Sequence, residues 1–393
     1  MQKPHNILIL STTTGNGHQA SAQALAAGFE QRFGNQVDVT IVDSLRDHTP
    51  FPVNLLPLFY NTVTTYCPWL WQIVWDLSLF SWFRDGLQWF VNATAMRSTQ
   101  KMITDHQPDL IITVHQLFVH QLAINALRRL DYKIPFVTVT VDLIDTHSLW
   151  FHHEVDLCFV CTDMTYECAR AAGMTREQLR MYGLPIRPSF TRTISSNISK
   201  SDLRQRLGLN PGLPAVLMLG GRTNNNKVIH IAQAISQKLA VTNVMGQLVI
   251  ICETDSQLHT KLMAYTWPTP TTIVGFVENM DEWMLASDCV VTKSGSVALA
   301  EAMACGVPMI PYRYMPGHQA SNPSFVVENG MGIYSQDADE IAQSIVGWFG
   351  QDAAQLKHMA TQAKQHGRPD ATSHIVDDIG PLIPTLKHRE TLD

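Results

Sequence analysis

Twice along this chain an apolar run that reads as a β-strand ends in a small-residue turn and then opens a helix. The first turn is Ser11-Thr12-Thr13-Thr14-Gly15-Asn16-Gly17-His18, directly after Ile7-Leu8-Ile9-Leu10. The second is Thr292-Lys293-Ser294-Gly295-Ser296, ahead of a helix-like run over 297–305. Such a junction presents unpaired backbone N–H groups to an anion. Two of them predict an α/β chain of two halves facing across a cleft, with a nucleotide-linked donor on one side and a reacting acceptor on the other.

Strands are predicted over 6–11, 37–42, 110–115, 136–141 and 157–160, and again over 216–219, 247–252, 272–274, 289–292 and 309–311. Their alternation with helical stretches implies parallel sheets covered on both faces. Between the halves, 189–202 is rich in Ser and Thr and follows Gly183-Leu184-Pro185-Ile186-Arg187-Pro188, which predicts an extended linker. The organisation expected is a first domain over 1–190 with an insert at 51–90, a linker at 191–201, a second domain over 202–365, and a tail at 366–393 packing back on the first.

A chain of 393 residues suits two domains of ordinary size, and 45% hydrophobic with 16% charged residues makes it globular. The net charge of -6 argues against a nucleic-acid partner. Seven scattered cysteines fit a reducing compartment, and Cys158-x-x-Cys161 on a strand reads as core. No secretory signal is evident, and the most apolar stretch, 68–83, is broken by Gln72 and Asp76. A soluble or peripheral protein inside the cell is expected.

The segment 51–90 breaks the strand–helix pattern. It holds Trp69, Trp71, Trp75, Trp82 and Trp89 out of nine tryptophans, together with Phe51, Phe59, Tyr60, Tyr66, Phe80, Phe83 and Phe90. One reading is a surface element that dips into a bilayer, where amphipathic rings sit at the headgroup level. The other is an aromatic patch that closes the core or a dimer interface.

His18, at a helix start, can stay neutral and accept a proton, although a histidine in a glycine loop is also a common structural residue. Asp142 and His115, at predicted strand ends, are further acid–base or orienting candidates; an Asp there also serves as a helix cap. His147, His152 and His153 lack metal-ligand spacing, and Asp337-Ala338-Asp339 precedes a helix and reads as a cap. Ser294, Gly295 and Ser296 offer donors to a diphosphate. Glu301 follows on the same helix, where a carboxylate can accept from ribose hydroxyls. Gly220-Gly221-Arg222 forms another turn after a strand, with Arg222 available to phosphate oxygens. Arg187, Arg192, Lys200, Arg204 and Arg206 surround the linker, and an anionic membrane surface is one partner they suit.

Taken in order, Gly15-Asn16-Gly17-His18-Gln19-Ala20-Ser21-Ala22, Pro108 to His115, Thr140-Val141-Asp142-Leu143, Tyr182 to Phe190, Gly275-Phe276-Val277-Glu278-Asn279-Met280, Thr292-Lys293-Ser294-Gly295, and Pro316-Gly317 to Asn322 with Val326-Val327-Glu328-Asn329-Gly330 resemble the monogalactosyldiacylglycerol synthases and the processive diacylglycerol glucosyltransferases. The resemblance spans about 7–334. It implies the GT-B fold of the peptidoglycan GlcNAc transferase, two Rossmann-like domains facing across a cleft. It also implies inverting, metal-independent transfer of a hexose from a UDP-sugar to diacylglycerol or a related lipid, with no cofactor, by a peripheral enzyme on the cytoplasmic face of the membrane. His18 would be the base, with Asp142 supporting it or competing for that role. Phe276 and Val277 would hold uracil; Gly220, Gly221, Arg222, Ser294, Gly295 and Ser296 the diphosphate; and Glu301 the ribose. Trp69, Trp71, Trp75, Trp82 and His115 would serve the acceptor and the membrane.

The sequence departs from the family in places. The family's donor-sugar Gln-Glu pair is His318-Gln319 here, which leaves the choice among galactose, glucose and GlcNAc open. The turn at Gly220 is poorer in glycine, and Thr13 stands where plant members carry an acidic residue. With no transit peptide ahead of the motif, a bacterial member is expected. Two rival readings stay open: the same fold acting on a polyprenyl-linked or soluble hydrophobic acceptor, and a non-catalytic UDP-sugar-binding protein.

Overall fold

The computed structural model describes residues 3–383 apart from Gly15, Gln116, Leu117, 222–225, Asp255 and Pro316. Arg222 and residues 384–393 therefore lie outside the described residues. The chain divides into two compact units. The first runs through Pro188 and takes in Met315–Ser321 and the chain from Asp370 onward; the second comprises Ser189–Tyr314 and Asn322–Pro369.

In the first unit, β1 (His5–Ser11), α1 (Asn16–Phe33) and β2 (Val37–Asp43) are followed by three helices of the aromatic segment, α2 (Leu56–Tyr66), α3 (Pro68–Ser78) and α4 (Ser81–His106). Then come β3 (Leu110–Thr113), α5 (Val119–Leu130), β4 (Phe136–Val139), β5 (Leu157–Val160), α6 (Asp163–Ala171) and β6 (Leu179–Met181). The strands form one sheet in the order β2-β1-β3-β4-β5-β6, parallel throughout. Helices cover both faces of such a sheet, so its inner strands read as unbroken apolar runs. Ile7 to Leu10 and Leu110 to Ile112 are all buried.

The second unit opens with α7 (Pro188–Ser195) and α8 (Lys200–Arg206) and continues through β7 (Ala215–Gly221), α9 (Asn226–Val241), β8 (Gln247–Cys252), α10 (Gln257–Met263), β9 (Thr271–Val274), α11 (Met280–Ala286), β10 (Cys289–Lys293), α12 (Ser296–Cys305) and β11 (Met309–Arg313). Its sheet, β11-β10-β7-β8-β9, is also parallel. α13 (Asn322–Glu328), α14 (Ala338–Phe349) and α15 (Ala353–His366) complete it, and α16 (Ala371–Ile379) packs on α1 in the first unit.

Three expectations need correction. The extended linker is instead α7 and α8: Pro188 takes the first helical position, where its missing N–H costs nothing, and Phe190 is fully buried. Of the five basic residues there, Lys200 and Arg204 are held by one carboxylate, while Arg192 and Arg206 are exposed. Arg204 Nη2 meets Asp288 at 2.5 Å and Lys200 Nζ reaches the same carboxylate at 3.0 Å. Finally, β6 was not anticipated, because only Leu179 of its three residues is buried. Asp337 does cap α14, accepting from the N–H groups of Asp339 and Glu340.

Each sheet reverses its winding once. In the first, the chain moves outward from β1 to β2 and resumes at β3 on the other flank of β1; in the second, β7 to β9 run one way and β10 and β11 fill the other flank of β7. The carboxyl ends of the strands that flank such a reversal splay apart into a crevice that favours ligands. His18 and His115 follow β1 and β3 in the first unit, and Gly221 and Ser294 lie at the ends of β7 and β10 in the second.

Candidate functional site

In the first unit, His18 is the third residue of α1, and its side chain is buried. Its Nδ1 lies 2.8 Å from the carbonyl oxygen of Val114, just past β3. A carbonyl can only accept, so Nδ1 carries the proton and Nε2 keeps a lone pair. Burial lowers the imidazole to about 4, so it is neutral near pH 7. Its ring sits 4.5 Å from that of His115 and 6.2 Å from that of Trp150.

His115 is itself buried, and its Nε2 is 2.7 Å from the hydroxyl of Thr14. That placement keeps His115 beside His18, and its burial is at odds with direct contact to a membrane surface. Asp142 is fully buried and caps no helix; Trp150 Nε1–H donates to its Oδ2 at 2.7 Å. Burial outweighs that bond and raises the carboxyl to about 7. Trp150 thus touches both candidate proton carriers.

The aromatic segment divides by exposure. Trp69, Trp82 and Trp89 are 65%, 68% and 71% exposed, whereas Trp71 is turned inward edge-on against Tyr60 at 4.8 Å. Trp71 is therefore not one of the surface rings it was expected to be. Trp75 is half-buried and packs edge-on against His147 at 5.1 Å. His147 Nδ1 accepts from the N–H of Leu149, and its Nε2 faces Ser78 Oγ at 3.1 Å. His152 instead stacks on His153. His318 and Gln319, assigned by continuity to the second domain, are counted with the first unit, where His318 Nε2 lies 3.4 Å from the hydroxyl of Tyr60.

In the second unit, Gly221 has φ +73°, a conformation that glycine adopts without strain, and a Cβ there would fall 3.3 Å from Lys293 Nζ. Burial, then Arg313, lowers the Lys293 ammonium from its usual range. Ser294 is a buttress rather than a free donor, because its N–H and its hydroxyl both point at the Arg313 carbonyl, at 2.8 and 2.9 Å. Gly295 is the N-cap of α12 without a side-chain cap, and its Cα faces open space. Asn322 is fully buried and secures the turn, donating to the Ser294 carbonyl at 2.8 Å and reaching Ser296 Oγ at 3.3 Å. Glu301 is buried one turn and a half into α12. Gly220 is packed tightly by Leu258, Cys252 and Ile251. Phe276 and Val277 follow β9, at the far edge of the sheet, with Phe276 well exposed.

An anion-receptive helix start and a neutral, oriented imidazole are the parts of a group-transfer enzyme. Residues 18–186 match the family description Monogalactosyldiacylglycerol (MGDG) synthase, and 215–375 match Glycosyltransferase family 28 C-terminal domain. Over 386 residues the chain is 37% identical to the chloroplastic monogalactosyldiacylglycerol synthase of Spinacia oleracea, covering 97% of this chain and 73% of that protein. It is 36% identical to monogalactosyldiacylglycerol synthase 1 of Arabidopsis thaliana, covering 97% and 72%. The chain belongs to the monogalactosyldiacylglycerol synthase family.

Solved structures with the same fold as this family member include a UDP co-structure of S. aureus MnaA (TM-score 0.62, 13% identity, 95% of this chain and 96% of that one). Another is MurG of Acinetobacter baumannii (TM-score 0.59, 16% identity, 96% and 99%). The architecture is GT-B, and the family member is a UDP-sugar glycosyltransferase. Among its described residues no helix is long and apolar enough to cross a membrane. Trp150 is absent from the sequence reading, and Tyr60, Lys293 and Asn322 figure there only as members of motifs without a role of their own. Lys293 had a local signal, its place at the end of a strand next to the second turn; Trp150 lies only eight residues from Asp142 with no pattern to mark it, and Tyr60 and Asn322 act through partners farther away along the chain.

Proposed function

We propose that this protein transfers galactose from UDP-galactose to diacylglycerol at a membrane surface, with inversion at the anomeric carbon and without a metal. The observation that carries the reading is similarity to monogalactosyldiacylglycerol synthases along almost the whole chain. In the step proposed, the acceptor hydroxyl oxygen attacks the anomeric carbon while the bond to the diphosphate breaks and its electron pair leaves with UDP. The hydroxyl proton passes to Nε2 of His18, whose orientation the Val114 carbonyl supports. Asp142, once ionised, balances the imidazolium. Charge building on UDP meets the uncapped start of α12 and the Lys293 ammonium, donors that need no reorganisation during the step. The exposed Trp69, Trp82 and Trp89 would seat the protein in the headgroup layer, close to its lipid acceptor.

The test is a radiolabelled transfer assay on diacylglycerol liposomes with a metal chelator present, running UDP-galactose, UDP-glucose and UDP-GlcNAc in parallel. A labelled galactolipid is expected. Product from UDP-glucose or UDP-GlcNAc alone would overturn the sugar, and no product from any donor while UDP still binds would overturn the acceptor.

A further inference from the structure

Two bulges fall at the same end of the second sheet, one on each side of β10. Where β7 pairs with β8, Leu219 faces Ile251 and Gly221 faces Cys252, so Gly220 is an extra residue at the end of β7. Where β10 pairs with β11, Thr292 faces Pro311 and Lys293 faces Arg313, so Tyr312 is an extra residue at the end of β11. Bulges are rare between parallel strands; they gather at sheet edges and beside active sites, where the added residue re-aims a side chain. β11 is an edge strand and β7 is not. Since β10 lies between them, both bulges bear on the same residue. A Cβ on Gly221 would fall 3.3 Å from Lys293 Nζ, and Arg313 takes the place of Tyr312 as the register partner of Lys293.

Neighbouring strands lie about 4.8 Å apart, so the register sets a guanidinium and an ammonium side by side. Both side chains are half-buried. Lys227, the second residue of α9, brings a third charge, its Nζ 3.4 Å from Gln336 Oε1. Burial, then Arg313, lowers the Lys227 ammonium as it does that of Lys293. Among the described residues no carboxylate forms an ion pair with Lys293 or Arg313. Like charges gathered without a counter-charge cost the folded protein free energy. The main chain holds them there regardless, since the Arg313 carbonyl accepts from both the N–H and the hydroxyl of Ser294. An anion of more than one charge completes such a cluster.

We infer that Arg313 is a further phosphate-binding residue of the donor site: its guanidinium and the Lys293 ammonium clasp the diphosphate of the UDP-sugar from neighbouring strands. The inference rests on the reading above, in which the diphosphate meets the start of α12, and it adds a second cation to that site. Arg313 then has two tasks. Its main chain seats Ser294 ahead of α12, and its side chain meets the anion that the helix start receives.

The experiment is calorimetric titration of uridine and of UDP into the full chain and into Arg313→Gln and Arg313→Lys, with a melting curve of each protein free of ligand. The wild type should bind UDP more tightly than uridine. Arg313→Gln should lose about tenfold in UDP affinity, the worth of one charge-assisted hydrogen bond, and nothing in uridine affinity. Arg313→Lys keeps the charge without the planar fork and should recover part of the loss. Free of ligand, Arg313→Gln should melt no lower than the wild type, because it removes a repulsion, whereas losing a residue that only held the fold would lower the melting temperature. A ratio of UDP to uridine affinity that Arg313→Gln leaves unchanged, through equal losses or none, would overturn the inference and leave the proposed function standing. A wild type with no preference for UDP over uridine would sink the diphosphate reading itself, and the inference with it.

Discussion

Nδ1 of His18 donates to the carbonyl of Val114 at 2.8 Å, tying the start of the first helix to the end of the third strand where the winding of the sheet reverses. One backbone oxygen thereby selects the tautomer. A histidine anchored through Nδ1 can receive a proton only at Nε2, so its orientation and its chemistry have a single origin.

Replacing His18 with Ala should lower turnover by about 100-fold or more, the size typical of a lost general base. UDP affinity should not change, because His18 belongs to the first unit and the residues proposed to hold the diphosphate belong to the second. Single-turnover transfer alongside UDP calorimetry checks both halves. Unchanged turnover would remove His18 from the mechanism.

Asp142 should leave a mark on stability against pH. Its carboxyl is raised from 3.8 to about 7 by burial, so between those values the folded protein holds a proton that the unfolded chain has released. The stability it contributes is fully present below about pH 4 and is lost as pH rises through about 7. His18 works in the opposite direction: lowered from 6.5 to about 4, it contributes stability above pH 6.5 that is lost as pH falls toward 4. Asp142→Asn removes only the first effect, so stability should climb more steeply with pH in the variant than in the wild type. Urea denaturation at pH 5, 6 and 7 measures the slopes, and parallel curves would contradict the burial argument.

Lys293→Ala should weaken UDP binding by about tenfold, the worth of one charge-assisted hydrogen bond, while uridine binding stays as it was. The contrast separates a phosphate contact from a general loss of structure. Equal losses for both ligands would mean that the ammonium near Gly221 holds the fold rather than the ligand.

Trp69→Ala, Trp82→Ala and Trp89→Ala should each reduce vesicle binding, by about tenfold per ring if each buries a typical large side chain in the interface. Melting temperature should not move, because these rings are exposed. Liposome flotation is the measurement. Full binding by the triple variant would return the patch to a protein interface.

Arg204→Ala should behave as a core lesion, costing about 2 kcal/mol, because it removes a buried charge-assisted bond to Asp288 and leaves that carboxylate with Lys200 and the N–H of Ala215. Binding to anionic vesicles, normalised to folded protein, should be unchanged. A stable variant with impaired vesicle binding would restore the membrane role for this basic stretch.

Much of the fold was legible because its strands are short apolar runs ended by turns. Leu157–Val160 and Gln247–Cys252 fall where the pattern puts them, since strands buried on both faces have little room for polar residues. β6 escaped notice because an outermost strand with one buried residue has almost no apolar signature. α7 escaped because Pro188 followed by Ser and Thr reads as a linker until Phe190 is seen to be buried. In the site, His18 was visible from its turn. Its setting was not: the Val114 carbonyl carries no side-chain signal, and the partner of Tyr60 comes 258 residues later. Ser294 was misjudged as a donor for a related reason, because its competitor is a main-chain oxygen on the neighbouring strand.

The return of α16 to the first unit bears on how the chain is made. Gly28 of α1 leaves room for Thr372, where a Cβ would come within 2.7 Å, and Arg32 pairs with Asp377 at 2.7 Å. On the ribosome, α1 emerges among the earliest elements, whereas the helix that covers it emerges after the second sheet has been synthesised. The nascent first unit must wait, half-dressed, with this flank open to chaperones and to other chains. Truncation before Asp370 would make that waiting state permanent.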